Sequence, residues 1–538
     1  MPSSRRNRLL MFYGAPVVGL GLVAYSAPLL FASPGDTKSE GPRVTKAPHP
    51  HKRGNAAAGR NVFRFETFGD EGFWTDAARM PQGMIQEKIT PLQALEAGLQ
   101  VDADTIPADI KGAMVKELKT NLSPDSAPML NDPQTTIKLL NANAIIGLVA
   151  KDSSGMGTLD VEHGAKVGIT CALCHTITDN SVFSMPGKGS IGRRRDGLTP
   201  YGLNVGKLMA VAANSRAFWP LLQHDNGGKT IGRAPKGLTP DSTEAEVDAY
   251  LSNPKYFPVG TFDDTPDGIG NPIQIQPLFR QDLAGPYGTS GQNAILDDFS
   301  NTAYTILFDP TTLTTPGGHK FLQIMAGKDG LKLAAAYEKI LKETNVTGYP
   351  YNHAALGLKP GEEKSPVGRR VDNQKLLDLN AYLDSLPAPK GVHTDRAAEA
   401  RGRELFRANC TSCHNVDQSK PVPANFIPMK TIYPGYRPVV IARRKPPLSP
   451  VQNSPGTFDD KMIVVDASGR GEIRGNALPL LLDLARKPKF LHDSSVSGLD
   501  ALLSPARGQK APHPFYLRQA SQRSDMVAFL KGLEIKGR

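Results

Sequence analysis

The pattern Cys-x-x-Cys-His stands twice in the chain, as CALCH at 171–175 and as CTSCH at 410–414, and no cysteine lies outside these two copies. No other feature limits the fold as tightly. Two thiols three residues apart at the start of a helix face one side, and an imidazole follows on the same turn. Such a turn can add both sulfurs to the vinyl groups of a haem and set the histidine under its iron. Four thiolates could instead hold one zinc, and a dithiol could cycle as a redox pair. Zinc leaves His175 and His414 without a role, and a redox dithiol wants a βαβ frame that the flanking sequence lacks. A structural disulfide framework would not place every pair directly before a histidine. The sequence therefore implies two covalently bound haem c groups. One attaches at Cys171 and Cys174 and the other at Cys410 and Cys413, with His175 and His414 as proximal iron ligands.

The N-terminus agrees with an exported protein. Arg5, Arg6 and Arg8 precede an uncharged run from Leu9 to Gly35, the basic-then-apolar order of a secretory signal. The run exceeds the usual signal core of about 7–15 residues and is long enough to cross a bilayer core of about 30 Å. Residues 1–35 are thus expected to be a signal peptide or an N-terminal membrane anchor. Because positive charge stays inside, the rest of the chain is expected in the periplasm, free or anchored facing it. Residues 36–60 are polar, contain Pro and Gly and are aperiodic, which is linker composition. Two haem domains are expected beyond it, over 61–389 and 390–538. The formal charge of +11 does not point to nucleic acid, since no Lys/Arg block is interleaved with aromatics. The densest cluster, Arg193-Arg194-Arg195, could pair with haem propionates.

Apolar periodicity places helices around the second motif. TDRAAEARGRELFRAN puts Ala398, Gly402, Leu405 and Phe406 on one face, with Thr394 or Asp395 as N-cap. Gly402 admits a close neighbour, and the natural one is the last helix, SDMVAFLKGLE, through Phe529 and Leu530. An earlier run, VDNQKLLDLNAYLDSLPAPK, carries Leu376, Leu379, Leu383 and Leu386 and stops at Pro387. Its AYLDSL looks like the counterpart of AFLKGL. Ahead of Cys171, by contrast, NANAIIGLVA and KVGIT read as extended segments, so the first motif is expected to lack a leading helix. Residues 225–370 are rich in Gly, Pro and Asp and too long for one loop; they are read as an elaboration of the first domain. The expected fold class is mainly α, with cytochrome c-like helical haem domains, the first heavily elaborated with loops and short strands.

TDRAAEARGRELFRANCTSCH, FLHDSSVSGLDALL and SDMVAFLKGLE together resemble the class I cytochrome c domain of the di-haem cytochrome c peroxidase superfamily. The run from YLDSLPAP to CTSCH resembles the junction between that superfamily's two haem domains. The resemblance covers about residues 370–538 and, before them, little beyond CALCH. It implies that His492 in FLHD belongs to the surroundings of the second haem. The family's methionine soon after that motif is missing, because Val496 to Gln509 contains none. The sixth ligand of the second haem is then open among His513, Met462 and Met429. For the first haem it is open among Met185, His163 and His353, or the position is empty.

The resemblance implies a redox protein in which one haem takes in electrons and the other reacts with peroxide or dioxygen. The alternative is a non-catalytic electron-transfer cytochrome of a periplasmic or membrane-associated respiratory chain, and a third reading is an oxygenase acting on an apolar substrate. Expected partners are a small redox protein or a quinol-linked electron donor or acceptor, with membrane contact only through the N-terminal segment. Trp74 and Trp219 are candidates for a haem contact or an electron route. Asp263, Asp264 and Asp267 in FDDTPDG resemble a calcium loop without its closing Glu.

Overall fold

Asn55 starts the first helix. Its side-chain oxygen accepts from the backbone N–H groups of Ala57 and Ala58, satisfying two of the donors that a helix N-terminus leaves open. Ala56–Phe65 follows, burying Gly59, Val62 and Phe63. Asp372 caps Asn373–Ser385 in the same manner, and that helix buries Leu376, Leu379, Tyr382 and Leu383. These two helices cross at Gly59, where a Cβ would collide with the carbonyl oxygen of Asp378. Beside the crossing, the rings of Phe63 and Tyr382 meet edge to face with centroids 5.7 Å apart.

A second pair repeats the first. Asp395, one of the two expected caps, accepts from Ala397 and Ala398 and begins Arg396–Asn409, which buries Ala398, Gly402 and Phe406. Its partner is Ala520–Lys531, with Met526, Phe529 and Leu530 buried. A Cβ on Gly402 would collide with the Asp525 carbonyl oxygen, and the Phe406 and Phe529 rings stand 5.4 Å apart. Each leading helix thus reads Gly, three residues, Phe. Each closing helix reads Asp, three residues, aromatic-Leu, as Asp378-Tyr382-Leu383 and Asp525-Phe529-Leu530. A residue without a Cβ at the crossing lets the ridges of one helix settle against the backbone of the other.

The computed structural model describes residues 44–45, 54–152, 160–224, 237–263, 272–285, 287–288, 293, 295–354, 367–415, 417, 424–428, 475–509 and 511–535. They belong to one unit, Pro42–Arg538, and are mainly helical with few and short strands. Leu148–Lys151 pairs antiparallel with Lys166–Ile169, the segments expected to be extended. Thr176–Thr178 pairs with Arg194–Asp196, and Thr261–Asp263 with Pro272–Gln274. The long stretch 225–370 carries helices of its own, among them Pro316–Ala326 and Lys328–Glu343. Buried apolar side chains form a large cluster that includes Phe63, Leu173 and Leu386, and a smaller one from Phe406 to Leu533.

The stretch expected as linker over 36–60 contains structure at both ends. Val44–Thr45 pairs with Ala424 and Asn425, and the first helix begins at Ala56 because Asn55 can cap it. No helix among the described residues is long and apolar enough to cross a bilayer. Residues 1–35 lie outside the described residues.

Candidate haem sites

Cys410 closes the second leading helix, its N–H donating to the Phe406 carbonyl at 2.8 Å, and the N–H groups of Cys413 and His414 return to the Cys410 carbonyl at 3.1 and 2.9 Å. The helix therefore runs straight into the CTSCH turn, and Cys410 packs on the smaller core. The His414 ring lies 6.4 Å from that of His513, centroid to centroid, with the planes 60° apart. Arg507 fixes the approach of His513 by donating to the carbonyls of Pro512 at 2.7 Å and His513 at 3.4 Å, while Phe515 packs on its ring at 5.1 Å. His513 has φ +53°, a left-handed backbone that costs a non-glycine residue on the order of 1–3 kcal/mol. Its Nδ1 is buried without a hydrogen-bond partner among the described residues. Desolvation pushes the His414 imidazole down to about 4 and that of His513, with the nearby His414 adding to it, down to about 3.

That pair fits a haem iron. A metal bound by imidazole lies about 2 Å from the nitrogen, and the nitrogen lies about 1.2 Å from the centre of a ring with bonds near 1.35 Å. Two imidazoles on one iron would thus have centroids roughly 6.4 Å apart. Both rings are held neutral, the form that binds metal, and an orphaned buried nitrogen is one that another partner must satisfy.

The first motif is also a single turn, Cys171–His175, capped by the Thr170 side chain. It too has a leading helix, contrary to the expectation from its flanking sequence. The Thr170 hydroxyl donates to the Arg64 carbonyl at 3.3 Å, so CALCH docks on the C-terminal end of Ala56–Phe65. Residues 66–170 intervene in the chain, and Gly59 and Phe63 stand where Gly402 and Phe406 stand in the second pair. The signal was GRNVFR at 59–64 against GRELFR at 402–407, hidden by the distance to the motif. From the other side Gly147, at φ +84°, presses so close that a Cβ there would strike the Leu173 backbone.

Beneath this turn a buried carboxylate gathers three donors. Asp196 accepts from Arg64 Nε at 2.6 Å, the Thr176 hydroxyl at 3.0 Å and the Tyr382 hydroxyl at 2.6 Å, tying both helices of the first pair to the strand after His175. The His175 carbonyl accepts from Gly197 at 2.7 Å. Its ring, desolvated to a pKa of about 4, hydrogen-bonds to the backbone of Gln276, and its Nδ1 has no partner among the described residues. The Cys171 Sγ lies 3.1 Å from the hydroxyl of fully buried Tyr304. Burial pushes Cys171 up to about 11 and Cys174 up to about 12, the reverse of what a reactive redox thiolate requires. All four cysteines are free. Cys171 and Cys174 pack with the larger core and Cys410 with the smaller, so the pairs do not converge as one four-thiolate zinc site. The free thiols, the turn geometry and the orphaned imidazole nitrogen fit a haem c here as well.

The remaining candidates fall into three groups. His163 is exposed and paired with Asp160 at 2.8 Å, and His353 is exposed, its backbone N–H donating to the Phe68 carbonyl at 2.6 Å; neither is drawn into a core. Met185 is half-buried at the edge of the larger core. Met429, Met462, Asp264 and Asp267 lie outside the described residues, while Asp263 ends a strand. Trp74 packs among Phe73 and Phe218, and Trp219 stacks on His224 at 3.6 Å. Arg194 is taken by Asp102 and the Phe65 ring, whereas Arg193 and Arg195 are exposed. His492 follows Phe490 and Leu491, which pack in the smaller core together with Cys410.

No family model matches the chain, and no curated protein matches it. Among solved structures, hydrazine synthase of Kuenenia stuttgartiensis pressurised with xenon matches at a TM-score of 0.27 and 11% identity, over 58% of this chain and 90% of that one. A likeness at that score carries no argument, and the two sites stand on their own geometry.

Proposed function

We propose that the chain is an exported di-haem c-type cytochrome, a redox protein of the di-haem peroxidase type. Cys171 and Cys174 hold one haem c and Cys410 and Cys413 the other, with His175 and His414 as proximal ligands. The observation that carries the reading is the pair of neighbouring imidazoles at the second motif, 6.4 Å between centroids and close to free thiols. His513 would accordingly hold that haem's iron together with His414.

A haem so held supplies one-electron chemistry, at a lower potential with two histidines than with histidine and methionine. Because two imidazoles would hold that iron, the His414 site would take in and pass on electrons. The His175 site is given to peroxide or dioxygen, supported by the outward placement of His163 and His353. In the alternative, a non-catalytic electron-transfer cytochrome, Met185 or another side chain closes that site too. Either protein works in the periplasm or anchored facing it, and meets a small redox protein or a quinol-linked donor or acceptor.

A pyridine haemochrome count followed by CO titration of the reduced protein tests the reading. Two haems and one CO site per chain are expected. Fewer than two haems overturn the di-haem assignment, and two haems without a CO site leave electron transfer as the function.

A further inference from the structure

A short strap joins the surroundings of the two motifs. Gln274 donates its backbone N–H to the His492 carbonyl at 2.5 Å and its side-chain amide to the Lys489 carbonyl at 2.8 Å. Two residues on, the Gln276 backbone bonds the His175 ring. Two further on, Leu278 donates to the Gly197 carbonyl at 2.9 Å, and Gly197 in turn donates to the His175 carbonyl. The segment 274–278 therefore stitches the proximal histidine of the first site to the 487–492 stretch beside the second.

On that stretch Lys487 is a half-buried cation whose charged form Asp483 favours without an ion pair to it. Its ammonium donates to the Gln276 side-chain oxygen at a long 3.3 Å, and the other neighbour in view is the Phe490 ring at 5.7 Å. The nearby carboxylate, Asp483, is engaged by both arms of Arg486, which itself lies over Tyr201. Arg195 shares the field of Asp483 with Arg486 and Lys487. No carboxylate among the described residues is within ion-pair distance of Lys487. Desolvation pulls its pKa down to about 8 against the raising effect of Asp483, and a carboxylate bound at the ammonium would favour the charged form.

We propose that Lys487, held by the Gln276 side-chain oxygen while the Gln276 amide donates to Gln274, forms a carboxylate-binding site that takes a propionate of the haem attached at Cys171 and Cys174. The inference rests on the di-haem reading. It makes a residue from the second motif's neighbourhood part of the first haem's environment, and it gives the strap a reason to hold Gln276 between His175 and Lys487. A cation on the propionate offsets a negative charge near the iron and favours the ferrous state.

The test is a spectroelectrochemical titration of the full-length protein, with the two couples assigned by comparison with the Cys171→Ala/Cys174→Ala variant. Lys487→Met should lower the potential of the first couple alone. The expected size is about a tenfold rise in its ferric-to-ferrous ratio at fixed potential, equal to about 59 mV for one electron. Lys487→Arg should restore most of the shift. If Lys487→Met does not fold, Gln276→Glu is read instead: it gives the lysine an internal anion, displaces the propionate and should lower the same couple. Two haems by pyridine haemochrome with both couples unmoved overturn this inference and leave the di-haem reading intact. A haem count below two overturns that reading and the inference with it.

Discussion

The two leading helices end differently. Arg396–Asn409 passes directly into Cys410, so crossing, helix and attachment turn are one continuous piece of chain. Ala56–Phe65 makes the same crossing with the same Gly and Phe, and then departs; its attachment turn returns at Cys171 and is fastened by Thr170 on Arg64. The helix crossing and the haem turn are thus separable parts. What keeps them in register in the first unit is not chain continuity but added bonding, above all Asp196, which has no counterpart among the described residues of the second. Arg407, in the register position of Arg64, pairs with exposed Glu404.

If the two units are independent attachment sites, Cys171→Ala/Cys174→Ala and Cys410→Ala/Cys413→Ala should each lower the haemochrome count from two to one. Loss of both haems in either variant would break the comparison at its root. His513→Ala should open the second site alone, so that the reduced protein binds one more CO than the wild type, and His513→Met should raise that couple's potential. An unchanged CO stoichiometry in His513→Ala would remove His513 as a ligand.

Smaller effects sharpen the contrast. Asp196→Ala strips a buried carboxylate from Arg64 and should cost about 3–5 kcal/mol, read from urea unfolding. Glu404→Ala should leave the midpoint where it is, as surface pairs usually do. Equal effects from the two would mean that the first unit's turn is not held by Asp196. Gly59→Ala and Gly402→Ala come last. Alanine gains about 1 kcal/mol in a free helix, yet a Cβ at either crossing meets backbone, and overpacking of that kind costs about 1–3 kcal/mol. Both variants should be destabilised, and by similar amounts.

Much of the second unit was legible because its signals are local. Asp395, Gly402, Phe406 and the Phe529-Leu530 pair all lie on two helices whose periodicity is plain, and their contacts follow from it. The CxxCH residues were legible for the same reason. The leading helix of the first unit was not, since pairing GRNVFR with CALCH requires a contact across residues 66–170, and Asn55 as its cap sat inside a polar stretch that composition marks as linker. Asp196 was missed because it is one acidic residue in a basic run, and only the fold brings Arg64, Thr176 and Tyr382 to it. His513 was one of three sequence candidates for the second site; the feature that singles it out, the bend at Arg507 and the left-handed backbone, is not a periodic signal.

The detour between Phe65 and Cys171 also sets an order of assembly. Closing a segment of that length costs roughly 4 kcal/mol of chain entropy before any contact repays it, whereas the second unit joins its helix and its turn at no such cost. Contacts between distant residues form late. The CALCH turn should therefore meet its leading helix later than the CTSCH turn, which is continuous with its own.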